Sequence, residues 1–246
     1  MKELVDLLHA HRSIRKFKST PVPDEVVAAI LQSAQSASTS SNVQAYSVIR
    51  VTDPRIRAGI QAVTGNQQAV GECPLFLVWC ADLHRNKLAC EWNGASMVSE
   101  GMENFIIATV DTTLAGQNAA VAAEALGLGV VYIGGIRNDL REVTRLLQLP
   151  ELVYPVFGMC IGYPDHDPGQ KPRLSGTAVL HKNVYADDEA VKQGIQEYDE
   201  RMHAYYLERT GGKRDTTWSN EMADKFKRKP RAYMKEYLEE QGFRLD

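Results

Sequence analysis

ENFIIATVDTTLAGQNAAVAAEALGLGVVYIGG, residues 103–135, decides how the chain folds. Phe105, Ile106, Ile107, Val110, Leu114, Val121, Ala122, Ala125 and Leu126 recur through a proline-free run that Gly127 stops, so residues 103–126 predict one long helix. At ~1.5 Å per residue it spans roughly 35 Å, the diameter of a small domain, which places it in a core or at a subunit interface. Asp111, Gln117, Asn118 and Glu124 interrupt its apolar surface, so it is not a plain membrane span. Leu128 to Gly135 reads as a strand ending in two glycines. Gly127-x-Gly129 follows a helix and leads into a strand, the reverse of the dinucleotide-binding order, and is rejected as that fingerprint.

Outward from this unit, Leu75–Ala81 and Pro155–Gly162 are continuous apolar runs of strand length and read as buried central strands. Tyr46–Thr52 is rich in strand formers. Pro23 and Asp24 precede Val26, Val27, Ile30 and Leu31 at helical spacing, so a helix starts near Asp24. The serine-rich run from Ser33 to Ser41 has a linker's composition, yet a strand follows at once, so it reads as a helix-to-strand connection whose hydroxyls can also meet a ligand. Asn138–Leu149 is a further helix closed by Pro150. From Asp188 the chain is mostly helical and more polar, with Tyr198, Met202, Tyr205, Tyr206 and Leu207 as one apolar face. The organisation expected is a core over residues 1–185 and a helical extension over residues 186–246, with no internal repeat.

Composition narrows the class. The 246 residues are 44% hydrophobic and 24% charged, which argues against both disorder and a membrane protein. The first residues carry acids where a signal peptide needs an apolar run, so a cytoplasmic protein is expected. Cys73, Cys80, Cys90 and Cys160 form no Cys-x-x-Cys pair and have no histidine at zinc spacing, so they read as reduced thiols and no metal is expected. A net charge of -3 argues against general nucleic-acid binding. Between residues 209 and 235, however, Arg209, Lys213, Arg214, Lys225, Lys227, Arg228, Lys229, Arg231 and Lys235 face only Asp215, Glu221 and Asp224.

His11-Arg12-Ser13-Ile14-Arg15 gathers two permanent cations, an imidazole and a hydroxyl. Arg12 and Arg15 lie three apart and His11 and Arg15 four apart, so on a helix their side chains converge on one anion, such as a phosphate. Leu4, Leu7 and Leu8 make a short amphipathic helix just before, and cations at a helix C-terminus also answer the helix dipole. Both readings stand on these residues alone. Gly134-Gly135 is likewise either a platform where backbone N–H groups approach a flat ligand or an ordinary turn. Lys171-Pro172-Arg173 sets two cations about a rigid proline. The motifs of serine hydrolases, zinc proteases and P-loop enzymes are absent, which leaves anion clamps and a glycine platform, parts for holding a cofactor that carries its own chemistry.

In order along the chain, His11-Arg12-Ser13-Ile14-Arg15-Lys16-Phe17, Thr64-Gly65-Asn66-Gln67, Gly127-Leu128-Gly129 with Tyr132-Ile133-Gly134-Gly135-Ile136-Arg137-Asn138, and Lys171-Pro172-Arg173-Leu174 resemble the group A branch of the FMN-dependent nitroreductase superfamily, which includes NADPH flavin reductases and oxygen-insensitive nitroreductases. The resemblance covers nearly the whole chain. It implies an α+β fold, a central, mostly antiparallel sheet flanked by helices, in an intertwined homodimer with FMN at the interface. It implies that His11, Arg12, Ser13, Ile14 and Arg15, with Lys171 and Arg173, hold the FMN phosphate and ribityl chain. Gln67 then contacts the flavin, Tyr132, Ile133, Gly134 and Gly135 turn backbone N–H groups toward its ring, and Thr39 stands where the family often has serine. Arg209, with Lys213, Arg214 and Arg231, is expected to meet the 2′-phosphate of NADPH.

The implied activity is hydride transfer from NADPH to bound FMN and on to nitroaromatic, quinone or free flavin acceptors in a ping-pong cycle, with no obligatory acid or base side chain. Arg15 or Lys171 supplies positive charge near the flavin. An alternative is an NADPH:FMN reductase that releases reduced flavin to a partner. A less favoured one is an FMN-binding electron carrier, which would leave the basic C-terminal segment idle.

Overall fold

The computed structural model describes residues 2–98, 101–227 and 231–244. Its elements are α1 (Lys2–His9), α2 (Asp24–Gln35), β1 (Tyr46–Arg50), α3 (Pro54–Val63), α4 (Gln68–Glu72), β2 (Leu75–Asp82), α5 (His84–Trp92), α6 (Met102–Ala125), β3 (Gly129–Ile133), α7 (Leu140–Leu147), β4 (Val153–Gly162), α8 (Gly176–Val179), α9 (Asp188–Thr210), α10 (Trp218–Phe226) and α11 (Met234–Glu240). They form two compact units, residues 1–168 with 231–246, and residues 169–230.

The first unit is α+β. Its four strands are ordered β1-β2-β4-β3, and all three ladders are antiparallel. The apolar runs of β2 and β4 take the two central places and are buried along their whole length. Because side chains alternate along a strand, each run feeds two cores. Leu75, Leu77, Trp79 and Ala81 face one core with Ile30 of α2, the alanines of α6, and Tyr237 and Leu238 of α11. Phe76, Val78 and Cys80 face the other with Ile60 of α3, Val70 of α4 and Val143 of α7. On α6, Ala108, Ala115, Ala119, Ala120 and Ala123 are fully buried, and such small side chains let it lie close over the sheet.

The segment His11–Arg15 is extended, which corrects the helical convergence expected of it. Ser13 bridges Val130 in parallel, Ile14 N donates to Val130 O at 3.0 Å, and Phe17 bridges Pro164. Two constraints outweigh helix formation here. The edge of β3 offers unpaired backbone groups, and Ile14 finds burial only by lying on Gly129, where a Cβ would stand 2.6 Å from its Cγ1.

Among the described residues of the second unit, α9 carries the core. Tyr198, Met202 and Tyr206, spaced by four, are buried with Leu174, Tyr205 and Trp218 packed on them. Asp187 caps its start by accepting from Ala190 N at 2.9 Å, and Gly211 closes its end in the left-handed region. No helix among the described residues is long and apolar enough to cross a membrane.

Candidate functional site

The first unit gathers residues along β3. At the start of the strand, the bridge at Val130 fixes the extended segment, so consecutive side chains from His11 to Arg15 alternate in direction. His11 Nδ1 donates to Glu124 Oε1 at 2.7 Å. Arg12 lies against Asp167, with Nε 2.8 Å from Oδ1, and its Nη1 donates to Ala10 O at 2.9 Å. Arg15 is exposed and forms no ion pair with the described residues, so its charge is open to an anion. The side chain of Ile14 is spent on the core, which leaves its backbone for any ligand contact.

At the other end of β3 the chain enters the turn Gly134–Asn138. Gln67, just before α4, reaches this turn, and its Nε2 donates to Thr64 O at 3.1 Å. The Tyr132 side chain points to α6, its hydroxyl 3.2 Å from Gly116 O and 3.0 Å from Gln117 Oε1. Burial, and then the charge of Glu124, pushes that phenol up to about 12. Tyr132 therefore offers a ligand its backbone, while Ile133 is buried.

Two arginines brace the turn. Arg137 donates to Val156 O, and Arg231 Nη2 donates to Gly134 O at 3.3 Å and Asn138 Oδ1 at 3.0 Å. Burial first, and then the charge of Arg231, lowers the guanidinium pKa of Arg137. Arg231 thus belongs to the first unit, whereas Arg209, Lys213 and Arg214 belong to the second.

Thr39 opens the connection between α2 and β1, and its Oγ1 accepts from Gln44 N at 3.4 Å. Ser41, Asn42 and Gln44 all have positive φ, a costly set for residues other than glycine. Asp111 of α6 holds them there. Its fully buried carboxylate accepts from Ser40 N at 3.1 Å and Ala45 N at 3.0 Å.

The second unit has its own cationic cluster, built on the tyrosines of α9. Lys171 Nζ lies 5.5 Å from the Tyr206 ring centre, and Arg214 stacks on the same ring at 4.0 Å while pairing with Glu221. Arg209 Nη1 donates to Tyr205 Oη at 2.6 Å, and Arg173 Nη1 donates to Lys171 O at 2.7 Å. Burial holds the Lys171 ammonium below the ordinary lysine range; Glu221 opposes this, and Arg214, Arg173 and Arg209 add to it. Lys171 and Arg173, assigned by sequence to FMN, thus share a neighbourhood with Arg209 and Arg214, assigned to NADPH. Arg228 and Lys229 lie outside the described residues.

Asp111 and Glu124 had appeared in the sequence only as interruptions of an apolar helix. For Glu124 a signal existed. An acid in the last turn of a helix opposes the dipole and asks for a cationic neighbour.

The donor set fits FMN. In the first unit, Arg12 and Arg15 only donate, as a phosphate requires, and the backbone of a strand-end glycine turn suits a flat heteroaromatic ring.

Comparison with known proteins accords with this chemistry. Residues 8–163 match the Nitroreductase family, and residues 171–246 match the Nitroreductase family, C-terminal domain. The chain is 42% identical over 246 residues to an FMN reductase (NADPH) of Bacillus subtilis, covering 99% of both chains. It is 41% identical over 244 residues to an oxygen-insensitive NADPH nitroreductase of Salmonella typhimurium, again over 99% of both. The solved NfrA1 nitroreductase from B. subtilis superposes with a TM-score of 0.94 at 42% identity, over 97% of this chain and 98% of that one. With fold, motif order and full-length similarity in agreement, the chain belongs to the nitroreductase family, in the branch formed by NADPH-dependent flavin oxidoreductases.

Proposed function

We propose that this protein is an FMN-dependent NADPH oxidoreductase of the cytoplasm that reduces nitroaromatics, quinones or free flavin. When bound, FMN would supply the redox chemistry, hydride transfer between NADPH and the acceptor in ping-pong order. The supporting observation is the layout of β3. The cationic segment bonds at Val130 and the glycine turn begins at Gly134, about 13 Å further along at ~3.3 Å per residue. A phosphate-binding end and a ring-binding end are thus separated as the two ends of a mononucleotide are.

The chain's residues bind and orient. His11, Arg12, Ser13, Arg15, Lys171 and Arg173 hold the phosphate and ribityl chain. Gln67, Thr39 and the backbone of residues 132–135 hold the ring, and Arg209, Lys213 and Arg214 receive the 2′-phosphate of NADPH. Arg231 is proposed for the same phosphate. No side chain is asked to exchange a proton.

The working unit is a homodimer. Met102, Ile106, Val110 and Leu114 recur every four residues on α6 and are each 44–47% exposed, an apolar stripe of the kind a second copy covers.

The test is a flavin assay of the purified protein with steady-state kinetics over an acceptor panel, using NADPH and NADH in turn. FMN at one per chain, parallel double-reciprocal lines and an NADPH preference are expected. A flavin-free protein that neither takes up FMN nor oxidises NADPH overturns the reading.

A further inference from the structure

Glu124 sits in the last turn of α6, where the helix dipole disfavours a carboxylate. Its side chain is 12% exposed, and its hydrogen-bond partner among the described residues is His11, 113 positions away, through Nδ1 at 2.7 Å. A partly buried acid in an unfavourable field calls for such a partner, and here the partner is the first residue of the cationic segment.

The geometry of an imidazole gives the pair a direction. With Nδ1–H donating to the carboxylate, the ring can only pivot about that bond, and Nε2 lies on the opposite edge. His11 Nε2 makes no hydrogen bond with the described residues. The backbone beside it is fixed independently, by the Val130 bridge and by Ile14 on Gly129, so the imidazole is what Glu124 orients. The neighbouring Arg12 is already engaged by Asp167 and Ala10 O, so its charge is shared.

We propose that Glu124 is a positioning residue for the cofactor phosphate: it holds His11 by Nδ1 so that Nε2–H is presented to a phosphate oxygen, an assignment that rests on the FMN reading above. The carboxylate itself never touches the ligand.

The test compares FMN with riboflavin, which lacks only the phosphate. Each is titrated into the full-length protein stripped of flavin, followed by quenching of flavin fluorescence, for the native chain, Glu124→Gln, His11→Gln and the double variant. Glu124→Gln is expected to weaken FMN by about tenfold, the scale of a charge-assisted hydrogen bond, and to leave riboflavin unchanged. His11→Gln is expected to produce the same selective loss, and the double variant no more than either single one. Equal weakening of FMN and riboflavin would show a merely structural role and overturn the proposal. So would additive losses, or FMN binding untouched by Glu124→Gln. Should Glu124→Gln fail to fold, His11→Gln decides alone, because unchanged FMN affinity there removes the phosphate contact. Native protein that binds riboflavin as tightly as FMN, or binds neither, fails at the earlier step and overturns the FMN reading with it.

Discussion

Gln67 and Gly135 occupy adjoining space: a Cβ built on Gly135 would stand 2.6 Å from Gln67 Nε2 and 3.2 Å from the Cα of Thr64. The Gln67 amide can swing away, but the Thr64 backbone cannot, so the glycine sets how closely the loop before α4 approaches the end of β3. Gly135→Ala is expected to cost about 1–3 kcal/mol of stability by overpacking. It should also release FMN more readily than the native chain does, read by thermal unfolding and by flavin retained on gel filtration. A variant that keeps native melting and native flavin content would show that the contact is slack.

Asp111 is the counterweight to the positive-φ residues Ser41, Asn42 and Gln44. Asp111→Ala strips acceptors from two backbone N–H groups, at about 1–3 kcal/mol each where they stay buried. The loop that carries Thr39 should then open. Urea unfolding measures the first effect, and limited proteolysis between residues 38 and 45 the second. Asp111→Asn keeps one acceptor and should fall between.

Arg209 projects from the last turn of α9 with its guanidinium against Tyr205. If it meets the 2′-phosphate, Arg209→Ala should reduce kcat/KM for NADPH by an amount worth ~1.5 to 3 kcal/mol and leave NADH unaffected. An unchanged NADPH to NADH ratio would move the 2′-phosphate elsewhere.

Lys171 carries a pH signature. Burial lowers its pKa from the ordinary 10.5, with Arg214, Arg173 and Arg209 acting in the same direction against Glu221, so its charge is lost at lower pH than an ordinary lysine's as pH rises through the lowered value. FMN retention should weaken over that alkaline range. Lys171→Arg, which stays charged, should carry retention to higher pH, and Lys171→Ala should weaken it already at neutral pH, with a more negative flavin potential. Identical alkaline profiles for the native chain and Lys171→Arg would count against the contact.

Val110 lies midway along the exposed stripe of α6. Val110→Glu buries a charge in any interface formed there, so sedimentation should find a dimer for the native chain and a monomer for the variant. A native monomer would refute the arrangement outright.

The sequence by itself determined the elements whose signals are local. The apolar runs of β2 and β4, the proline-free stretch of α6 and the periodic tyrosines of α9 each declare their burial within a few turns or residues, and the structure has them where that burial requires. It also marked the cations and glycines of the candidate site, because donor-only side chains and strand-end glycines are uncommon in such density.

Tertiary structure alone decided the rest. Spacing from His11 to Arg15 suited a helix, but the open edge of β3 and the burial of Ile14 on Gly129 drew the segment straight. After the second unit the chain returns to the first, where Tyr237 Oη lies 2.6 Å from Thr144 Oγ1 and Arg141 pairs with Glu240. Asp111 and Glu124 took their roles from partners 71 and 113 positions away. A carboxylate on an apolar helix is a cost until something distant satisfies it, and which distant group does so is fixed only when the strands have paired and α6 lies across them.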